Sequence, residues 1–233
     1  MKRSFLLAFF LVTFTSVATY AQTCMGMTLK AGMGCEMITY NAKDKMTGKM
    51  TYNVSDVRRD GNNTIVKVDF ESADEKGKST QKSTLTYTCS GNELIADLSG
   101  FMQNGQNQAF KDGEVRLKTN RLVYPALSAG QTLPDGKLEA DMYNNGSLMV
   151  EMTIDMTNRS VGSKESLTVP AGTFDVFKIS SDMTVKSKVM GMSIPANLKV
   201  VTYRAANTLF DIRSETYNKN GKLYAYTVLS KVF

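Results

Sequence analysis

Apolar side chains in this 233-residue chain recur with a period of two, not 3.6. Val66, Val68 and Phe70 alternate with Lys67, Asp69 and Glu71. Val150, Met152, Ile154 and Met156 alternate with Glu151, Thr153 and Asp155; Tyr224, Tyr226 and Val228 alternate with Ala225 and Thr227. Successive side chains of a strand point to opposite faces, so this pattern describes half-buried antiparallel strands. Asp60-Gly61-Asn62, Ser90-Gly91-Asn92, Asp135-Gly136, Asn145-Gly146 and Asn220-Gly221 punctuate the runs. Such pairs supply the positive φ that tight hairpin turns demand. The expected fold is all-β: an antiparallel curved sheet, or an open barrel or half-barrel, with few or no helices. Residues 99–110 are polar and amide-rich and read as a loop.

Residues 1–21 read as a secretory signal peptide. Lys2 and Arg3 precede an apolar run from Phe5 to Val12, and Thr19-Tyr20-Ala21 offers small residues for cleavage. The run is shorter than the ~20 residues that span a bilayer. Ala21-Gln22-Thr23 before Cys24 is not a lipobox. The mature chain is then one β-rich domain, 22–233, with no later transmembrane segment. Tyr40-Asn41 through Gly48-Lys49 to Tyr52 echoes Tyr217-Asn218 through Gly221-Lys222 to Tyr226, each read as strand, Gly-Lys turn, strand. The echo divides the domain into sub-halves, 22–124 and 125–233, meeting at Tyr124-Pro125.

Export implies an oxidising compartment, periplasmic or extracellular, and three cysteines allow one disulfide. Spacing alone leaves three pairings open. The nearest, Cys24–Cys35, is the expected one, with Cys89 as a buried remainder.

Composition removes several function classes. The chain has no His, which excludes Ser-His-Asp and Cys-His hydrolases and His-ligated metal enzymes. A formal charge of +6, part of it in the leader, is too weak and scattered for a nucleic-acid binder. There is no nucleophile elbow, calcium loop or phosphate loop. Cys24, Met25, Met27, Met33 and Cys35 form a soft-ligand cluster suited to Cu(I), but methionine is also a flexible core filler, so no metal or cofactor is expected.

Leu133-Pro134-Asp135-Gly136, Asn158-Arg159-Ser160-Val161, Glu165 through Phe174 with its Val169-Pro170-Ala171-Gly172 turn, and Ser214 through Lys222 occur in that order. The series resembles the TapB-like exported proteins of Gram-negative bacteria, domain-of-unknown-function family 3108, over nearly the whole mature chain. Where similar proteins carry glycines before the last strand pair, this chain has Asn207-Thr208-Leu209-Phe210. The resemblance implies an exported β-rich protein whose curved sheet is like that of periplasmic lipoprotein carriers. It transfers no activity.

The reading that follows is a non-catalytic exported binding protein, not an enzyme, that takes an apolar or envelope-derived ligand such as a lipid on the apolar face of a bent sheet. Its candidate ligand residues are Tyr203, Tyr224 and Tyr226 from the C-terminal strands and Met152 and Met156 from a middle strand. The alternative is an envelope structural or protein-interaction module without a small ligand. A cavity inside the sheet separates the two.

Overall fold

The computed structural model describes residues 22–97, 113–189, 192–206 and 208–233. The expected signal peptide, residues 1–21, the amide-rich 99–110 stretch and Asn207 lie outside the described residues. Fourteen strands are present among those described: β1 (Gln22–Cys24), β2 (Met27–Leu29), β3 (Gly34–Asn41), β4 (Met46–Asp60), β5 (Asn63–Asp74), β6 (Ser79–Ser90), β7 (Glu93–Asp97), β8 (Gly113–Pro125), β9 (Gly136–Asn144), β10 (Ser147–Val169), β11 (Gly172–Val189), β12 (Met192–Ala205), β13 (Arg213–Asn218) and β14 (Leu223–Val232). β3 to β14 form an antiparallel meander that closes into a barrel where β14 pairs with β3. The fold is all-β, as the periodicity predicts, and the sheet is closed, not open. Closure leaves no long free edge.

The alternation decides what faces inward. On β5, Thr64, Val66, Val68 and Phe70 are buried and Lys67 and Asp69 are exposed. Register aligns these four with Cys89, Tyr87, Leu85 and Ser83 on β6. Charged side chains thus face out and apolar ones in, the reverse of a lipid-facing barrel. Turn chemistry also behaves as read. Asn145 and Gly146, both at positive φ (47° and 75°), join Asn144 to Ser147. Pro170-Ala171 is a two-residue loop between paired Val169 and Gly172, and Val169 and Phe174 join one apolar cluster.

The echoed Tyr-Asn segments build the same hairpin by a different device from the one expected. Asn41 Oδ1 accepts from Lys43 N and Lys45 N, and Asn218 Oδ1 accepts from Asn220 N and Lys222 N. Gly48-Lys49, however, lies within β4, so the first turn is Ala42 to Lys45 and not a Gly-Lys turn. Asp74 repeats the motif with Lys76 and Lys78, so it is a hairpin device, not a mark of the two halves.

One expectation is overturned. The disulfide is Cys24–Cys89, with a Cα–Cα distance of 5.7 Å, and Cys35 is the buried free cysteine. Nearness in sequence fails because the two cysteines enter different sheets. Met25 and Gly26, at φ 51° and 81°, reverse the chain, so β1 and β2 pair only with each other. Cys24, Met27 and Leu29 then pack on the inward side chains of β5 and β6, including Cys89. Cys35 is instead built into the barrel wall between Tyr52 of β4 and Val232 of β14.

The β1–β2 hairpin sits at the barrel end that carries the β4–β5 and β6–β7 turns. The 208–212 segment between β12 and β13 reaches the same end, and its Leu209 joins the hairpin's apolar cluster. These two elements leave space deeper in the barrel.

Candidate functional site: a cavity in the barrel

A partly open cavity of about 290 Å³ lies inside the barrel. Met37 on β3, Met50 on β4, Ala96 on β7 and Leu122 on β8 give it apolar walls. Leu209 and Phe210 from the 208–212 segment close it on one side. Tyr52 lies between Phe70 and Phe210, with ring centroids 5.1 and 5.0 Å away, so the segment's aromatic ring is packed on the barrel wall.

The polar side of the cavity is a connected group. Arg204 on β12 donates from Nη1 to Asp211 at 2.9 Å and from Nη2 to the Leu209 carbonyl at 2.7 Å. Its guanidinium lies 4.4 Å from the centroid of Tyr124, and Arg159 lies 4.8 Å from the same ring. One aromatic ring thus contacts two cations, each favoured by the ring quadrupole. Arg159 is held by the carbonyls of Val123, at 2.9 Å, and Pro134. Two of the family-resembling motifs, Leu133 to Gly136 and Asn158 to Val161, meet at that contact. Tyr87, Ser214 and Thr227 complete the polar lining. The Tyr87 hydroxyl has no hydrogen-bond partner among the described residues. Tyr87, Tyr124 and Asp211 retain partial exposure, and all three line this cavity.

Burial governs the electrostatics. It pushes the Asp211 carboxyl up, and Arg204 offsets this only in part. Burial would lower the Arg204 guanidinium, but Asp211 and the phenols of Tyr124 and Tyr87 outweigh it and hold the charge. The Tyr52 and Tyr87 phenols are driven far above their ordinary range by burial and stay protonated as hydrogen-bonding groups. Arg204 faces Asp211 in the cavity, and Arg159, drawn toward Asp135, lies against the Tyr124 ring outside the lining.

The residues nominated from sequence fall into two places. Tyr203, Tyr224 and Tyr226 share the outer face of β12–β14, with Arg213 of β13 paired to Tyr203. Tyr224 is 68% exposed. Tyr226 stacks on Tyr40 at 5.1 Å, carries Arg213 over its ring at 4.6 Å and donates to Asp44. Tyr203 is buried against Val201 and Val176, with Lys178 over its ring. Met152 packs with Leu138 and Ala140, and Met156 lies beside Gly136; both share the inward face with Leu122 but neither lines the cavity. The tyrosines and the methionines are therefore not one site. The aromatic residues that reach the cavity are instead Tyr52 on β4, Tyr87 on β6, Tyr124 on β8 and Phe210 of the 208–212 segment. Arg204, Asp211, Tyr124 and Ser214 were not singled out, although Arg159, in phase with buried Val161, is a sequence sign of a buried cation.

A larger concavity, of about 680 Å³, lies along β4–β6 and is lined by Thr51, Asn53, Asp69, Glu71, Lys82 and Thr84 together with Phe70 and Ser83. Its Lys82 and Glu71 pair with each other at 3.3 Å and are exposed, which describes a solvated surface groove more than a ligand site. Among the described residues no group of carboxylates and cysteines is arranged to hold a metal ion.

Two solved structures share the fold. A candidate lipoprotein of Parabacteroides distasonis superposes with a TM-score of 0.70 at 20% identity, over 87% of this chain and 95% of that one. A candidate exported protein with a YmcC-like fold from Bacteroides fragilis gives 0.65 at 20% identity, over 87% and 96%. No curated protein matches the sequence. The DUF3108-like family model matches residues 30–229, from just after β2 into β14, which includes the whole cavity wall; the chain belongs to the DUF3108-like family.

Proposed function

We propose that this is an exported, non-catalytic binding protein that holds a small ligand inside its barrel. The observation that carries the reading is the cavity inside the barrel, of about 290 Å³, lined by Tyr87 and by the Arg204–Asp211 pair. Apolar walls with a few convergent polar groups are the usual make-up of a small-molecule site. The volume sits at the lower edge of the ~300–1,000 Å³ typical of such sites, so the ligand part held there is small. Among the described residues that line the cavity there is no nucleophile with a base beside it, which supports retention of the ligand over its conversion.

Export is supported by the leader and by the Cys24–Cys89 bridge, a bond suited to an oxidising compartment. The two structural relatives, described as candidate lipoprotein and candidate exported protein, agree with an envelope or exported location. The bridge uses the thiol of Cys24, which speaks against lipidation at that residue.

Native mass spectrometry of protein purified after export tests the proposal. The expected result is a co-purified small molecule of constant mass, lost in Ser214→Leu, which fills the cavity. Protein that is ligand-free under every purification condition would instead favour an interaction module without a small ligand.

A further inference from the structure

The 290 Å³ cavity is not alone in the barrel. A second, of about 130 Å³, lies under Met25, Met27 and Leu127 and reaches Arg204 and Thr208. A third, of about 120 Å³, is bordered by Leu29, Cys35, Val54, Leu229 and Val232. All three share a wall made by Thr208 to Asp211: Leu209 and Phe210 face both the first and the third, and Thr208 faces the second and the third. One short strap therefore stands between three hollows that are each smaller than an ordinary binding pocket.

The strap makes no strand pairing with the barrel. Thr208 bonds back to Ala205 and across to the Phe210 carbonyl. Ile212 N, where the chain rejoins the wall, bonds to Tyr203 O at 2.7 Å. Between those points Arg204 is the hydrogen-bonding tie, through the Leu209 carbonyl and the Asp211 carboxylate. The strap thus places two apolar side chains in the lumen and a carboxylate on a buried guanidinium.

We propose that Leu209, Phe210 and Asp211 stand where the ligand binds, and that the ligand is an amphiphilic acid with a compact apolar body and one anionic head. The head replaces Asp211 on Arg204, and the body replaces Phe210 against Tyr52 and Leu209 beneath the β1–β2 hairpin. The inference rests on the barrel-binding reading and adds the ligand's chemical class. Charge supports an anion. Once Asp211 leaves, Arg204 keeps its place over Tyr124 with Arg159 on the same ring, and no other carboxylate lines the cavity. An ammonium head would meet the Arg204 guanidinium, and a neutral head would leave Arg204 buried without its anion.

Titration calorimetry with decanoate, decylamine and octyl glucoside separates the cases. Decanoate should bind at one site, about tenfold or more tighter than decylamine, as a desolvated charge pair requires. Asp211→Asn, which removes the internal competitor, should tighten decanoate several-fold. Phe210→Ala should do the same by opening the lumen. Arg204→Lys should weaken it about tenfold, because the forked geometry is lost. Should Arg204→Lys fail to fold, Asp211→Asn alone decides. Decylamine binding as well as decanoate, or decanoate unaffected or weakened by Asp211→Asn, overturns the inference. No decanoate binding, with a co-purified molecule that Ser214→Leu removes, rejects the ligand class and leaves the barrel-binding reading intact. Neither binding nor a co-purified molecule rejects both.

Discussion

Replacing Cys24 and Cys89 together by Ala removes a cross-link between residues 65 positions apart. In the chain-entropy model, closing a loop of that length restricts the unfolded chain by about 4 kcal/mol, against about 3 kcal/mol for the dozen-residue loop that a Cys24–Cys35 bond would close. Strain and residual structure usually reduce such figures, so the expected loss is roughly 2–4 kcal/mol. For a domain of this size that is a fall in Tm of roughly 10 °C. Lost packing should add little to this, because Ala keeps part of the contact of the hairpin with Val66, Val68 and Leu85. Urea unfolding of the oxidised wild type, the double variant and Cys35→Ala measures the difference. Cys35→Ala, which removes only a buried thiol, should cost about 1 kcal/mol or less. A double variant within about 0.5 kcal/mol of wild type, or a Cys35→Ala loss equal to that of the double variant, would refute the reasoning; peptide mapping that finds Cys35 bridged would do so directly.

Three further outcomes are expected. Cys35 is buried, and burial, with a smaller contribution from Asp211, pushes its thiol up to about 12; at pH 8 an aromatic disulfide reagent should label no cysteine in the native protein and one after denaturation. Glu215, which accepts the Tyr217 hydroxyl at 2.7 Å, pushes that phenol up to about 12 from an ordinary 10.0. Because the folded value is the higher one, the bond's stabilisation is complete below about pH 10 and is lost as pH rises through about 12; absorbance titration should show Tyr217 ionising earlier in Glu215→Gln. A Cβ at Gly34 would collide with the Tyr52 carbonyl and the Phe233 ring, and Gly34 exchanges backbone hydrogen bonds with Phe233 at 2.8 and 3.1 Å. Gly34→Ala should therefore cost about 1–3 kcal/mol in denaturant unfolding, as overpacking does, and Phe233→Ala should recover only part because the carbonyl clash remains.

How much of this was legible in the sequence depends on what alternation can report. Val66, Val68 and Phe70 against Lys67 and Asp69 identify both the strand and its buried face, because one phase is charged. Tyr224, Tyr226 and Val228 alternate with Ala225, Thr227 and Leu229, and neither phase is charged. The period shows that Tyr224 and Tyr226 share a face but not which one. Here the polar Thr227 turns into the lumen, because the lumen is itself partly polar, while Val228 is buried in the cluster formed with the β10–β11 turn. The strap stands out in the sequence only as a departure from the glycines of similar proteins, and its place in the barrel is illegible for a different reason. Thr208-Leu209-Phe210-Asp211 has no period, and its place inside the barrel depends on Arg204, a contact that no spacing rule encodes. The disulfide failed for a third: loop length ranks pairings only when the chain between the cysteines is free to bring them together, and the β1–β2 turn sends Cys24 to β6 instead.

The central claim is that the space within the barrel, and not the tyrosine face outside it, is the ligand site. A crystal structure of the protein grown with saturating decanoate tests it most directly. The account predicts density for one decanoate inside the barrel, its carboxylate on Arg204 and its chain against Tyr52 and Met50, with Phe210 and Asp211 displaced. Decanoate bound only over Tyr40 and Tyr226 on the outer wall, or a barrel interior unchanged at saturation, would contradict it.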